Sequence, residues 1–263
     1  MTSIVTMLSD FGLVDSYVAE MKAAILSVDP EVMLVDISHE IRKFDIGMGA
    51  FVLASASKSF PEGTVHLAIV DPGVGSERRP IIVKSRRACY VGPDNGLLIL
   101  AATHDGLESV YQIETGKLPQ GTTSPTFHGR DIFAPVAGLL AKGTNPSELG
   151  HEISDYLKSN FKAERAGTSL TSEIIHIDDF GNVVIGISAA EMEKEKIGEL
   201  LKIKIGQSRS LTIRLVRTYS DLGKGSLVAL IGSHGFLEIA RNGGNAAKAL
   251  HVHVGDLISI PLY

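Results

Sequence analysis

The stretch His66-Leu-Ala-Ile-Val-Asp71-Pro-Gly-Val-Gly-Ser-Glu-Arg78 constrains the fold most, because an apolar run stops abruptly at a carboxylate, a Pro-Gly turn and a guanidinium. Buried strands that end this way deliver their last polar residue into a cleft. The pattern recurs where Ile4–Ser9 runs into Asp10-Phe11-Gly12 and where Val32–Ile37 runs into Ser38-His39. Three such strands in one sheet bring three polar ends to one rim. In open α/β sheets that rim, at the carboxyl edge of the strands, is where small molecules bind.

Between these runs the periodicity turns helical. Ser16–Ser27 carries Val18, Met21 and Ile25 behind an Asp15/Ser16 cap, Asp45–Phe60 is closed by Pro61, and Arg130–Lys142 follows later. Further strands are expected at Val65–Val70, Ile81–Lys84, Ala88–Val91 and Ser109–Ile113. This alternation predicts an N-terminal α/β domain over 1–165, a mainly parallel sheet with helices on both faces. Past the polar stretch Lys158–Ser172 the texture becomes short strands and turns, at Glu173–Ile177, Val183–Ile187, Leu201–Ile205, Leu211–Val216, Leu227–Ile231 and Leu257–Ile260. They predict a smaller, barrel-like β domain over 168–263.

Composition narrows the partners. A net charge of −5 and no basic cluster larger than Arg86-Arg87 argue against nucleic acid. No apolar run approaches the ~18 residues of a membrane span, and no basic leader precedes an apolar segment, so the expectation is a cytoplasmic protein with no membrane partner. Cys89 is the single cysteine, which rules out an internal disulfide and a Cys-based zinc site within one chain. Set in Arg87-Ala-Cys-Tyr-Val91, it reads as a core residue.

Several local patterns suggest chemistry. Asp-Phe-Gly at Asp10 and Asp179 with His128-Gly-Arg-Asp131 resembles kinase vocabulary, but no Gly-rich loop opens the chain and the order is wrong. Gly73-Val-Gly75 lacks the third glycine of a dinucleotide fingerprint. Asp71 with Arg78, taken alone, reads as an ion pair pinning a turn. Thr126-Phe-His128-Gly-Arg-Asp131 shifts that balance, since it places a histidine at the entrance of a helix with Pro135 in its first turns. The helix dipole there depresses the histidine pKa and leaves a neutral imidazole. Gly92-Pro-Asp94-Asn95-Gly96 reads as a turn, with a ligand contact as the second possibility. Asp178-Asp-Phe-Gly-Asn182 is either a hairpin connection or a pair of carboxylates and an amide suited to an amine or a purine edge. Ser233-His234-Gly and the Gly-rich end at Gly243 are either tight loops or backbone that approaches a flat ring.

Together, Leu8-Ser-Asp10-Phe-Gly12, Asp36-Ile-Ser-His39, Ile69-Val-Asp71-Pro-Gly-Val-Gly75, Gly92-Pro-Asp-Asn-Gly96, Phe127-His-Gly-Arg-Asp131, Asp179-Phe-Gly-Asn182 and Ser233-His-Gly-Phe-Leu-Glu-Ile-Ala240 resemble the S-adenosyl-L-methionine hydroxide adenosyltransferases, relatives of the fluorinase and chlorinase. The resemblance runs through nearly the whole chain in the same order. It implies hydrolysis of S-adenosylmethionine to adenosine and L-methionine by attack at the ribose C5′, and a homotrimer whose active sites lie between neighbouring subunits. It implies no cofactor and no metal, S-adenosylmethionine being the substrate. Asp71, Arg78 and His128 match the family's catalytic set. Asp10 matches the carboxylate that holds the ribose hydroxyls, and Phe44 the ring along the sugar face. Ser16, Asp178 and Ser233 match positions around the methionine end, and Asn182 one at the adenine edge. Two departures separate this chain from the halogenating relatives: Asp71 stands where they carry an aromatic or smaller residue, and Gly129 where they carry the halide-site serine. His234 replaces their arginine for the methionine carboxylate, which leaves backbone amides to hold that group.

The difficult partner in such a reaction is water. Lowering its pKa from 15.7 to neutrality corresponds to roughly 12 kcal/mol, more than one arginine supplies, so deprotonation is expected to be coupled to attack. Arg78 then stabilises the developing hydroxide, while His128 or Asp71 takes the proton. An ionised Asp71 beside Arg78 favours His128 as acceptor. The alternatives are a chlorinase-like halogenase, a non-catalytic adenosine or S-adenosylmethionine sensor, and a metal-dependent phosphohydrolase using Asp10, Asp71 and His128.

Overall fold

The apolar runs that end in polar residues become neighbouring strands. In the computed structural model, which describes residues 3–118, 124–158, 161, 163–206 and 209–262, the chain divides into two units, 1–160 and 161–263. The first holds strands β1 (Ile4–Ser9), β2 (Met33–Ser38), β3 (Thr64–Ile69), β4 (Pro80–Ser85), β5 (Ala88–Pro93), β6 (Leu107–Ile113) and β7 (Gly150–Ile153). Its helices are α1 (Tyr17–Val28), α2 (Ile46–Ser57), α3 (Ile99–His104), α4 (Ala134–Ala141) and α5 (Pro146–Leu149).

The strands form one sheet in the order β2-β1-β3-β5-β4-β6-β7. Its first four strands are parallel, as the alternating pattern predicts, and the other three extend it antiparallel. The reason is local: only Arg86-Arg87 separates β4 from β5, and so short a link permits an antiparallel pair alone. Side chains alternate across the strands. Val5 and Met7 of β1 pack with Met21 and Ile25 of α1 and Val136 of α4. Leu8 faces the opposite side, toward Gly49 of α2.

The helix expected at Arg130–Lys142 is α-helical only from Ala134, behind a wider π-turn at Gly129–Phe133. Pro135 has no N–H to return to the Asp131 carbonyl, so the regular ladder cannot pass through it. Asp45 caps α2 by accepting from the Met48 N–H at 2.8 Å. Ser16 stands at the start of α1 without capping it, its hydroxyl donating instead to Glu20 at 2.6 Å. α3 has no counterpart in the sequence reading, because a six-residue helix is too short to show a periodic apolar stripe.

The second unit holds β8 (Glu164–Ala166), β9 (Ser169–Ile177), β10 (Val183–Ser188), β11 (Leu200–Ile205), β12 (Arg209–Arg214), β13 (Leu227–Ile231), β14 (Phe236–Arg241) and β15 (Leu257–Pro261), with helices α6 (Ala189–Lys194) and α7 (Ala246–Leu250). The strands run antiparallel in the order β12-β11-β15-β9-β10-β14-β13, with β8 paired to β9. That pairing ties residues 164–166 to this unit and carries it across the boundary expected at 165–168. Past β12, the Val216 N–H donates to the Ala229 carbonyl of β13 at 2.8 Å, so the sheet nearly closes into a barrel. Ile185, Ile203, Leu237, Ile239 and Ile258 fill its interior.

Candidate active site

Ser9, the last residue of β1, pairs with Ile69, the last of β3. The two strands release Asp10 and Asp71 side by side at the carboxyl edge of the parallel strands. The loop after Asp71 is short and internally bonded: the Val74 N–H donates to the Asp71 carbonyl, and the Ser76 N–H and hydroxyl both donate to the Gly73 carbonyl. Gly75 sits at φ +77°, and a Cβ there would lie 2.7 Å from the Pro125 carbonyl oxygen. This close approach fastens the Asp71 loop to the segment that carries His128.

Arg78 returns from that loop to grip Asp71 through two parallel bonds, Nε to Oδ1 at 3.1 Å and Nη2 to Oδ2 at 2.5 Å. The same Nη2 lies 3.1 Å from His128 Nδ1. Guanidinium only donates, so Nδ1 accepts and the neutral ring carries its proton on Nε2. The Phe133 ring lies under the guanidinium, 5.2 Å from its centroid to Cζ. Side-chain exposure is 7% for Arg78 and 6% for Asp71, and Arg78 Nη1 is buried with no hydrogen-bond partner among the described residues. A buried charged donor left without a protein acceptor is costly, and a ligand or reacting atom is what offsets such a cost at a functional site.

Burial pushes the Asp71 carboxyl above its usual range against the opposing pull of Arg78. His128 is pushed down, first by burial and then by the Arg78 charge. That downward direction is the one expected from the sequence, with burial as its leading cause.

Asp10 is also buried, and its Oδ2 accepts from the Phe44 N–H at 2.8 Å. Lys43 Nζ meets the Asp10 carbonyl. Phe44 is thereby held in a left-handed conformation, φ +65°, with its ring 67% exposed. Such a conformation is unusual for an aromatic residue and persists only when neighbours hold it. Phe11, next to Asp10, and Phe127, next to His128, meet edge-on at 6.0 Å, and Tyr17 closes on Phe127 at 5.3 Å. Ser16 lies on the rim through its bond to Glu20, which in turn pairs with Arg130 at 2.8 Å.

In the second unit Asp178–Asn182 forms the hairpin between β9 and β10. Asp178 accepts from both the backbone N–H and the side-chain amide of Asn182, at 2.8 and 2.9 Å. His234 Nδ1 accepts from the Phe236 N–H at 3.2 Å, and Nε2 faces buried Glu238 at 3.1 Å. Glu238 also accepts from the Tyr219 hydroxyl at 2.9 Å, and the Tyr219 pKa is pushed up to about 12 by burial and by that bond. The Asp178 charge acts on the same phenol, so Asp178 and His234 belong to one neighbourhood. Ser233 is exposed in the turn before β14, and Gly243 lies in the turn after it, against the Lys224 stem.

Sequence reasoning passed over three supports of the first site. Asn95, read as a turn residue or a ligand contact, donates its amide to the Val70 carbonyl at 2.8 Å and fixes the backbone just before Asp71. Phe133 under Arg78 and Lys43 against Asp10 had no signal beyond their nearness to named residues. Among the described residues no three His, Cys, Asp or Glu side chains gather as a metal site, and no helix is long and apolar enough to cross a membrane.

An α/β unit presenting a carboxylate, a guanidinium and an imidazole at its strand ends, joined in one chain to a barrel-like β unit, defines an enzyme class rather than a binding scaffold. The S-adenosylmethionine hydroxide adenosyltransferase N-terminal domain matches residues 5–150 and its C-terminal domain residues 172–259, and the chain belongs to that family. It is 36% identical to the (R)-S-adenosyl-L-methionine hydrolase of Methanocaldococcus jannaschii, over 98% of this chain and 95% of that one. A fluorinase from an Actinoplanes species is 28% identical over 98% and 97% of the two chains. A crystal structure of a conserved Thermotoga maritima protein superposes with a TM-score of 0.88 at 34% identity, covering 98% of this chain and 99% of that one.

Proposed function

We propose that this protein hydrolyses S-adenosyl-L-methionine to adenosine and L-methionine, with Asp71, Arg78 and His128 as its catalytic residues. The observation that carries the reading is Arg78 Nη1, a buried donor with no partner among the described residues, beside a carboxylate and a neutral imidazole. A water held there attacks C5′, the C5′–S bond breaks with its electron pair going to sulfur, and methionine leaves as a neutral thioether. Arg78 Nη1 stabilises the charge that develops on the attacking oxygen.

The water proton goes to Asp71 rather than to His128. The His128 Nδ1 lone pair already accepts from Arg78, and burial raises the basicity of the Asp71 carboxylate. The preference for His128 drawn from the sequence gives way for that reason. His128 instead fixes the guanidinium, leaving Nη1 turned to the oxygen.

Asp10 holds the ribose hydroxyls and Phe44 lies along the sugar. Asp178, Asn182, Ser233, His234 and Gly243 receive the methionine and adenine ends, supplied by a neighbouring copy in a homotrimer. With both ring nitrogens of His234 engaged internally, its part in holding the methionine carboxylate is to shape the Ser233 turn. A cytoplasmic location agrees with this intracellular substrate.

The halogenase alternative meets a steric obstacle. A Cβ at Gly129 would lie 3.1 Å from Phe127, 3.2 Å from Met21 and 3.3 Å from Ile69, so a halide-site serine has no room without displacement.

The test is incubation of the purified protein with S-adenosylmethionine in oxygen-18 water, with EDTA present, followed by chromatography and mass spectrometry. Labelled adenosine and methionine in equal amounts are expected. Unlabelled adenosine rejects hydrolysis, tight binding without product supports a sensor, and 5′-chloro-5′-deoxyadenosine in chloride buffer supports a halogenase. Loss of activity with EDTA supports metal chemistry.

A further inference from the structure

Behind Asp10 lies a chain of polar groups, buried at Ser9 and His39 and open to solvent at Asp36 and Lys22, that the reaction does not touch. Ser9 Oγ is 2.7 Å from His39 Nδ1, and Ser9 and His39 are 0% and 4% exposed. His39 Nε2 lies 3.2 Å from Asp36 Oδ1, and Asp36 Oδ2 pairs with Lys22 at 2.6 Å. Nε2 faces that carboxylate without hydrogen-bond geometry, and the ring is held by its bond to Ser9. Ser9 in turn accepts from the Phe11 N–H at 3.3 Å.

Serine, histidine and aspartate in series have the composition of a nucleophile relay. Complete burial of Ser9 keeps it from any substrate. The connectivity points to support instead: the His39 side chain holds Ser9, immediately before Asp10, and the His39 carbonyl accepts from the Gly12 N–H at 2.7 Å, two residues after it. One residue at the end of β2 thus grips the Asp10 segment on both flanks. On its open side the same segment is fixed by the Phe44 N–H and by Lys43.

We propose that His39 is a positioning residue that fixes the Asp10 carboxylate for the ribose hydroxyls through Ser9 and Gly12; this rests on the reading of Asp10 as the ribose-holding group. Removing the ring frees Ser9 to rotate and loosens the Asp10 backbone, while the groups that meet the base and the sulfonium stay in place. Behind metal ligands, outer hydrogen-bond partners change affinity or activity by roughly 10- to 100-fold, and the lower end of that range is the effect expected for this carboxylate.

The experiment measures the Kd of adenosine and of 2′,3′-dideoxyadenosine by calorimetry for the full chain and for Asp10→Asn, His39→Ala, His39→Asn and Ser9→Ala, with thermal melts alongside. His39→Ala and Ser9→Ala are expected to weaken adenosine roughly tenfold while shifting dideoxyadenosine less than about twofold. His39→Asn, which keeps a polar atom facing Ser9, should recover most of the loss. Equal weakening of both nucleosides, or unchanged adenosine binding in both Ser9→Ala and His39→Ala, overturns the proposal. Should His39→Ala not fold, Ser9→Ala decides alone, since it removes one buried oxygen and adds no bulk. If Asp10→Asn itself treats the two nucleosides alike, the ribose reading falls and takes this proposal with it. If discrimination is lost only in Asp10→Asn, the proposal falls and the ribose reading stands.

Discussion

The Asp71–Arg78–His128 group of the first unit and the Tyr219–Glu238–His234 group of the second are built from similar parts. Each has a buried carboxylate, a histidine and a strong donor. They differ in what is left over. Glu238 accepts on both oxygens and His234 uses both ring nitrogens, so that group closes on itself. Arg78 satisfies Nε and Nη2 but keeps Nη1 buried and unpaired. Among the described residues the first group keeps a donor in reserve, whereas Glu238 and His234 are engaged with their neighbours.

The largest expected effect breaks or confirms that contrast. Arg78→Met, which keeps most of the volume and removes every donor, should lower kcat about a hundredfold to a thousandfold in a single-turnover assay, the range for losing a stabiliser of developing charge. Asp71→Asn should do the same and also abolish the acidic fall of the pH–rate profile. With Asp71 as proton acceptor and His128 neutral, activity is present at neutral pH and drops as pH falls through the raised carboxyl pKa, with no loss on the alkaline side from either group. An unchanged acid limb in Asp71→Asn would return the proton to His128.

Gly75→Ala sharpens the same comparison. The left-handed backbone and the 2.7 Å clash with Pro125 should cost on the order of 1–3 kcal/mol in denaturant unfolding and also lower kcat, because the Asp71 and His128 loops part. Tyr219→Phe is the counterpart in the closed group. It removes one donor from Glu238 and should cost about 1 kcal/mol of stability with kcat unchanged. A fall in kcat comparable to that of Arg78→Met would erase the distinction between the two groups.

A third histidine gives a purely structural reference. His66 is buried between Phe60 and Tyr90, with Nδ1 2.7 Å from the Thr6 hydroxyl, and burial lowers its pKa to about 4. The fold keeps this ring neutral, so the stability it supports is present above pH 6.5 and drains as pH falls toward 4. From 6.5 to about 4, at 1.36 kcal/mol per unit, this corresponds to about 3 kcal/mol. Urea titrations between pH 7 and pH 4 should show that loss, and His66→Gln should flatten it.

How far the sequence could be read depended on the range of the interaction. The strand-to-polar transitions at Ser9, Ile37 and Val70 are local patterns, and they placed Asp10, His39 and Asp71 at one sheet edge before any coordinates. The antiparallel strands beyond β5 follow from the two-residue Arg86-Arg87 link, which was visible but went unused. β14 carries no period-2 signal, since Phe236–Arg241 is buried at five consecutive residues and includes a buried glutamate, Glu238. α3 was hidden because six residues are too few to carry a periodic stripe.

The order of apolar runs, caps and turn residues by itself determined two regions of different architecture and the strand ends on which the reactive groups stand, because periodicity and turn chemistry act over a few residues. Only the tertiary structure decided that Arg78 spans Asp71 and His128 with one nitrogen to spare, that His128 accepts rather than donates toward it, and that His234 is spent on Glu238. Those outcomes depend on which donors and acceptors share a buried space, and residues 50 positions apart in the chain share it only after the sheet has formed.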